Sequence, residues 1–212
     1  MADFTFFFNP MSRAQIARWA LHEVGADYEP VLVPYDAEKP AAFLAANAMS
    51  KVPTIIHHGP GGDRVVTECA AICHYLAEAT RSPLLPEPGE QADYFRWLLF
   101  GAGPLEQAII SHTMGWQARD AQQEMMLGFG SYERTMDALE DWLQGRDYVC
   151  GSRFTMVDVY LGSQVDWGVA FGTMPDRPAF RAYVERLRAR PAYAEAKAID
   201  TELIAQMKQP AG

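Results

Sequence analysis

The residue best placed for chemistry is a serine. The chain reads Phe4-Thr5-Phe6-Phe7-Phe8-Asn9-Pro10-Met11-Ser12, an aromatic run of buried-strand composition ended by a proline that cannot continue a ladder. Beyond it Ile16, Ala17, Ala20, Leu21 and Val24 recur at helical spacing, and Gly25 supplies a stop. Ser12 therefore falls where a strand hands over to a helix. Main-chain amides and the positive end of the helix dipole converge there, which suits an anion. The position equally suits a serine that only caps the helix.

The other reactive side chains read as structural. Cys69, Cys73 and Cys150 are too few and too irregularly placed for a disulfide framework or a zinc site. Cys69 and Cys73 lie four apart on one expected helix, which points to buried thiols. His57 and His58 are adjacent in a strand-like run, so their side chains leave on opposite faces and do not chelate together. No metal is expected.

Around Ser12 the pattern is that of an α/β unit. Tyr28–Pro34 reads as a second strand, close enough after the first for a strand-helix-strand unit with a parallel pair. Residues 35–50 are a mixed, Ala-rich segment containing Lys39. Val52–His57 begins a third strand, His58–Asp63 reads as a turn by composition, and Arg64–Val66 returns as a fourth strand to complete a hairpin. Thr67 and Glu68 open a helix carrying Ala71, Ile72, Tyr75, Leu76 and Ala79.

Pro83, Pro86 and Pro88 then mark a boundary that can hold neither a helix nor a central strand. The expected organisation is an α/β domain over 1–80, a linker over 81–90 and an all-helical domain over 91–212. Within the latter, Phe95, Leu98, Leu99 and Ala102 share one face, and Met136, Leu139 and Leu143 another. Gly101-Ala102-Gly103-Pro104-Leu105 reads as a break. Thr155-Met156-Val157-Asp158 has the form of a capping box with Asp for Glu, opening an apolar helix to about Phe171. Arg181, Arg186, Arg188 and Arg190 read as a solvated helix face, with an acidic partner as the alternative.

Composition narrows the partners. The formal charge is -9 over 212 residues, and neither half is basic enough for nucleic acid. The N-terminus lacks the basic start and apolar core of a signal peptide, and no apolar run approaches a membrane span. A cytoplasmic location is the expectation.

Taken together, the strand-turn-serine, Lys51-Val52-Pro53-Thr54-Ile55, the Thr67–Leu76 helix and the Thr155–Asp158 cap resemble the cytosolic glutathione transferase family over essentially the whole chain. Asn9-Pro10-Met11-Ser12, Arg18 and Leu21-His22-Glu23 look most like its serine-type members, the phi and theta classes and their bacterial relatives. The resemblance implies a thioredoxin-like first domain, an all-helical second domain and a homodimer. It implies a detoxification-type transferase with glutathione as co-substrate, adding its sulfur to a hydrophobic electrophile.

The resemblance also assigns roles. A thiol of pKa ~8.5 is only a few per cent thiolate at neutral pH, and lowering it by ~2 units takes ~2.7 kcal/mol. Ser12 is implied as the donor to the glutathione sulfur. Pro53, by itself a plausible strand-start proline, is implied to be cis and to present the backbone of Val52 to the cysteinyl part of glutathione. Glu68 and Cys69 align with the acidic-hydroxyl pair that grips the γ-glutamyl group, Cys69 replacing the hydroxyl with a weaker donor. Lys39 and Lys51 either face the glycine carboxylate or are exposed without function. Met11, Gly103, Met114 and Trp116 are expected to line an electrophile site between the domains. Open alternatives are a glutathione-dependent peroxidase or dehalogenase, a binding or scaffold protein, and a reductase using Cys69 or Cys73.

Overall fold

The structure, a computed structural model, describes residues 2–208. Two compact units emerge, one built from the chain up to Ser82 together with the segment from Ala189 onward, the other from Pro83–Arg188.

The first unit runs β1 (Phe4–Phe8), α1 (Ala14–Glu23), β2 (Tyr28–Leu32), α2 (Ala41–Ala46), β3 (Thr54–Gly59), β4 (Gly62–Val66) and α3 (Cys69–Ala79). The sheet order is β2-β1-β3-β4. β1 pairs parallel with β2 and antiparallel with β3, and β3 pairs antiparallel with β4. Phe6, Phe7 and Phe8 are all buried, so β1 is covered on both faces and its continuous aromatic run replaces an alternating pattern. Pro10 and Asn9 end it, and α1 follows from Ala14.

β2 ends at Leu32 rather than Pro34, and two further sequence boundaries move. β3 starts at Thr54 rather than Val52, because Pro53 has no N–H to give the ladder. The hairpin is tighter than its Gly-Pro-Gly-Gly composition indicates: pairing continues through His58↔Asp63 to Gly59↔Gly62, leaving Pro60 and Gly61 as the loop. Gly62 closes that loop with φ +93°, a conformation that favours glycine. His57 and His58 do leave on opposite faces. His57 stacks on Phe4 and meets the Tyr75 hydroxyl at 2.9 Å, while His58 lies 2.8 Å from both Thr5 Oγ1 and Asp63 Oδ1.

The second unit holds α4 (Gln91–Phe100), α5 (Glu106–Thr113), α6 (Ala121–Met126), α7 (Tyr132–Leu143), α8 (Met156–Ala170) and α9 (Pro178–Arg188). Gly101–Leu105, read from sequence as a break, instead joins α4 to α5 as a π-helical turn with Pro104 inside it. The widened turn accommodates the proline's missing donor. Gly101 is closely packed: a Cβ there would lie 3.0 Å from the Tyr160 ring, and its carbonyl accepts from Gln164 Nε2 at 3.0 Å. α8 is buried almost all round, which explains its nearly continuous apolar sequence.

The cap of α8 forms as expected. Asp158 Oδ2 accepts from the Thr155 amide and hydroxyl, while Oδ1 accepts from the Val149 amide and the Tyr183 hydroxyl, all within 2.8–3.1 Å. Burial pushes this carboxyl up to about 6 against the pull of its four donors. The arginines of the last helices are engaged rather than free. Arg181 pairs with Asp176, Arg188 with Asp166, and Arg186 donates to the carbonyls of Asp147 and Arg146.

The final helix, α10 (Pro191–Met207), packs on α1 and so belongs to the first unit, a placement that the sequence boundary 91–212 does not anticipate. The joint is a buried ion pair. Arg18 Nε donates to Asp200 Oδ1 at 3.0 Å, Nη1 donates to the Tyr28 hydroxyl at 2.9 Å, and the guanidinium lies 4.4 Å from the centre of the Phe8 ring. Arg190 adds a bidentate pair with Glu23. Among the described residues no helix is long and apolar enough to cross a membrane.

Candidate active site

Three segments reach the same end of the sheet. β1 leaves it at Phe8, β3 enters at Thr54 and β4 leaves at Val66, and the registers Phe7↔Thr54 and Ile55↔Val66 set these ends side by side. Asn9–Ser12, Lys51–Pro53 and Thr67–Cys69 are therefore brought to one edge. In a sheet whose strands are joined by helices, that edge is the usual place for a ligand.

Ser12 sits in a turn built by Asn9. The buried Asn9 side chain donates to the Val33 carbonyl at 3.0 Å and accepts from the Met11 amide at 3.0 Å. This fixes the chain direction after β1. Ser12 Oγ donates to the Asn9 carbonyl at 2.7 Å and accepts from the Ala14 amide at 3.0 Å. The hydroxyl thus satisfies a first-turn amide of α1, as a cap would, while remaining half-buried and polarised by that N–H. Its single proton points at a carbonyl until a stronger acceptor arrives.

The remaining expected residues fall into two groups. The Val52-Pro53 bond is cis. Lys39 Nζ donates to the Ser50 carbonyl at 3.2 Å, so it stands over the loop that leads into Lys51. That loop is held by Asn47, whose amide donates to the Lys51 carbonyl and to Thr54 Oγ1, both at 2.9 Å. Lys51 is exposed and Val52 half-buried. On the other side, the Cys69 thiol donates to the Arg13 carbonyl at 3.6 Å, tying the start of α3 directly to the Ser12 turn. None of Cys69, Cys73 and Cys150 is in a disulfide among the described residues. Burial pushes the Cys150 thiol up to about 11, which leaves it protonated at neutral pH.

Glu68 is exposed and has φ +64° as the residue preceding α3. A left-handed glutamate is costly, roughly 1–3 kcal/mol, and such outliers cluster at ligand clamps. No sequence signal marks that conformation. Asn9 was legible as the residue before a turn proline, but its role as the organiser of the Ser12 turn was not. Asn47 carries no signal at all in its Ala-rich segment. Of the residues expected around an electrophile, Met11 is half exposed, Gly103 lies in the π-helical turn, and Met114 and Trp116 are exposed just beyond α5.

This geometry defines an α/β domain with an anion-receptive turn at its strand ends, followed by a helical unit. Two family models match the chain: the N-terminal domain of glutathione S-transferase over residues 10–79 and the C-terminal domain over residues 104–191. Glutathione S-transferase 1 of Schizosaccharomyces pombe is 30% identical over 158 residues, covering 70% of this chain and 66% of that protein. The disulfide-bond oxidoreductase YfcG of Escherichia coli is 27% identical, covering 90% of this chain and 92% of its own. A sphingomonad glutathione S-transferase solved in complex with glutathione superposes with a TM-score of 0.72 at 27% identity, covering 93% and 98%. The chain belongs to the glutathione S-transferase family, and its first domain has the thioredoxin-like fold.

Proposed function

We propose that this protein is a serine-type glutathione transferase that activates glutathione through Ser12 and transfers its sulfur to a hydrophobic electrophile. The observation that carries the reading is the Ser12 hydroxyl itself, polarised by the Ala14 amide at the strand end where Val52–Pro53 and Glu68–Cys69 also arrive. The thiol proton leaves to solvent, the thiolate sulfur forms a bond to the electrophilic carbon, and a leaving group such as halide departs with the bonding pair. Ser12 donates its proton as a hydrogen bond and is not itself ionised.

The other roles follow the same reading. Glu68 receives the γ-glutamyl ammonium, main-chain amides at the start of α3 receive its carboxylate, and the Val52 main chain pairs with the cysteinyl peptide. Lys39 and Lys51 face the glycine carboxylate. Met11, Gly103, Met114 and Trp116 contact the electrophile. The family's habit of two-fold dimers is the expectation for the assembly.

A second reading, reduction of a disulfide by glutathione, is favoured by the 27% identity to the E. coli disulfide-bond oxidoreductase across 90% of the chain. Steady-state assays with an activated aryl halide and with a glutathionyl disulfide separate the readings. Conjugation that collapses in Ser12→Ala supports the transferase. Disulfide reduction that survives Ser12→Ala and disappears in Cys69→Ser selects a cysteine-dependent reductase instead. Tight glutathione binding without either activity leaves a binding protein.

A further inference from the structure

The helical unit contains a cavity of about 270 Å³ that belongs to none of the elements carrying Ser12, Val52 or Glu68. It lies between the end of α5, the turn beyond it and the start of α7. Its volume sits just below the usual range of small-molecule pockets, so it fits a ligand of two or three rings. We propose that this cavity is a binding site for a small, flat organic cation. The inference goes beyond the glutathione reading and depends on no part of the thiol chemistry, although Trp116 is named in both.

The walls are aromatic. His112 and Tyr132 stack with ring centres 3.9 Å apart and planes inclined by 14°, and Trp116 and Phe129 also face the cavity. The Tyr132 ring is fixed at its far end, where the hydroxyl donates to the Thr173 carbonyl at 2.9 Å. The turn that presents Trp116 is closed by its amide donating to the Ser111 carbonyl at 2.8 Å. Fixed ring faces carry negative potential and attract cations.

The charges agree with the rings. Two acidic residues, Glu124 and Glu133, line the cavity, and among the described residues no lysine or arginine does, although the Arg134 guanidinium lies against the lining residue Gly130. Arg134 reaches Glu124 at 3.2 Å from a largely solvent-exposed side chain, which neutralises one carboxylate, and Glu133 has no ion pair among the described residues. Ser111, Gln117 and Trp116 also line the cavity, and their side chains make no hydrogen bond among the described residues. They are available to orient polar edges of a ligand. An anion of the same shape would meet the Glu133 carboxylate and electron-rich ring faces, so charge sign is the discriminating property.

The test is a fluorescence titration of the whole protein with 9-aminoacridine, a flat monocation at neutral pH, beside acridine-9-carboxylate, an anion of closely similar shape. Both are run with glutathione saturating. The expected result is saturable binding of one cation per chain, at least about tenfold tighter than the anion. Trp116→Ala and Glu133→Gln should each weaken the cation about fivefold, with unchanged far-ultraviolet circular dichroism since both residues are exposed. Glu185→Gln, an exposed carboxylate of α9 outside the cavity, should leave binding unchanged. Equal affinity for the two dyes would overturn the proposal, as would absence of saturable binding. So would a loss of the same size in Glu185→Gln, which would assign the attraction to net charge.

Discussion

Replacing Ser12 by alanine should raise the pKa of bound glutathione by about one unit, not the ~2 units of a full activation. The reasoning starts from the hydroxyl's single proton, which in the free protein is donated to the Asn9 carbonyl at 2.7 Å. Donating it to a thiolate exchanges a neutral hydrogen bond, worth about 1 kcal/mol net, for a charge-assisted one worth about 1.5–3 kcal/mol. The gain of about 0.5–2 kcal/mol is centred close to one pKa unit. The rest of any depression must come from main-chain amides at the helix starts, which Ser12→Ala leaves in place. The assay is titration of the ultraviolet thiolate absorbance of bound glutathione, parent against variant at equal occupancy. If the parent thiol titrates near 6.5, the variant should titrate near 7.5. Conjugation should then fall about fivefold at pH 6.5 and hardly at all near pH 9. Removing the acceptor of the Ala14 amide costs about 1 kcal/mol of stability, too little to unfold the protein. A bound thiol whose pKa is the same in parent and variant would refute the reasoning, and a shift of two units or more would show that the Asn9 carbonyl does not compete.

Glu68→Gly should stabilise the first unit by about 1 kcal/mol, since glycine accepts φ +64° without penalty. It should also weaken glutathione binding about tenfold or more through loss of the ammonium partner. Thermal melting with calorimetric titration reads both, and a variant that melts lower refutes the strain. Arg18→Ala should cost about 3–5 kcal/mol, because it leaves Asp200 buried without its charge partner. Arg18→Met with Asp200→Leu should recover most of that loss in chemical denaturation. Asp158 carries a pH signature: burial raises its carboxyl from 3.8 to about 6, so between those values the folded chain holds a proton that the unfolded chain has released. Its contribution therefore favours folding most below pH ~4 and declines by roughly 3 kcal/mol as pH rises past ~6. Urea midpoints of the parent relative to Asp158→Asn should fall across that window, and a constant difference would refute the assignment.

Much of the active edge was legible because its signals are local. A proline after an aromatic run, a serine four residues beyond the strand, a Val-Pro-Thr strand start and a Thr-Asp cap each depend on neighbours a few residues away. The features that escaped depend on absent atoms or distant partners. Gly101 and Pro104 read as a break because both disfavour an ordinary helix, yet the missing Cβ admits the Tyr160 ring and the widened turn absorbs the missing N–H. The hairpin loop read as six residues because glycine and proline dominate it, whereas cross-strand pairs such as His58–Asp63 extend the ladder into it. Glu68 gives no sign of a left-handed backbone, since a glutamate is ordinarily the last residue to adopt one.

The largest omission, α10, bears on the chemistry. Ser12 is presented by the junction of β1 and α1, and Arg18 of α1 contacts β1. Arg18 stands on α1 with its guanidinium on the rings of Phe6 and Phe8 of β1 and its Nε on Asp200, 182 residues further along the chain. One side chain therefore binds the helix to the strand that precedes it and to the helix that ends the described fold. No window of local sequence contains both partners, and Arg18 by itself is simply a charged residue on an amphipathic helix. The consequence is a division of labour. Residues 9–14 decide that a hydroxyl is offered at the strand end, and the buried Arg18–Asp200 pair ties the helix behind it to α10. Loosening that pair should degrade the positioning of Ser12 without touching any group that meets glutathione.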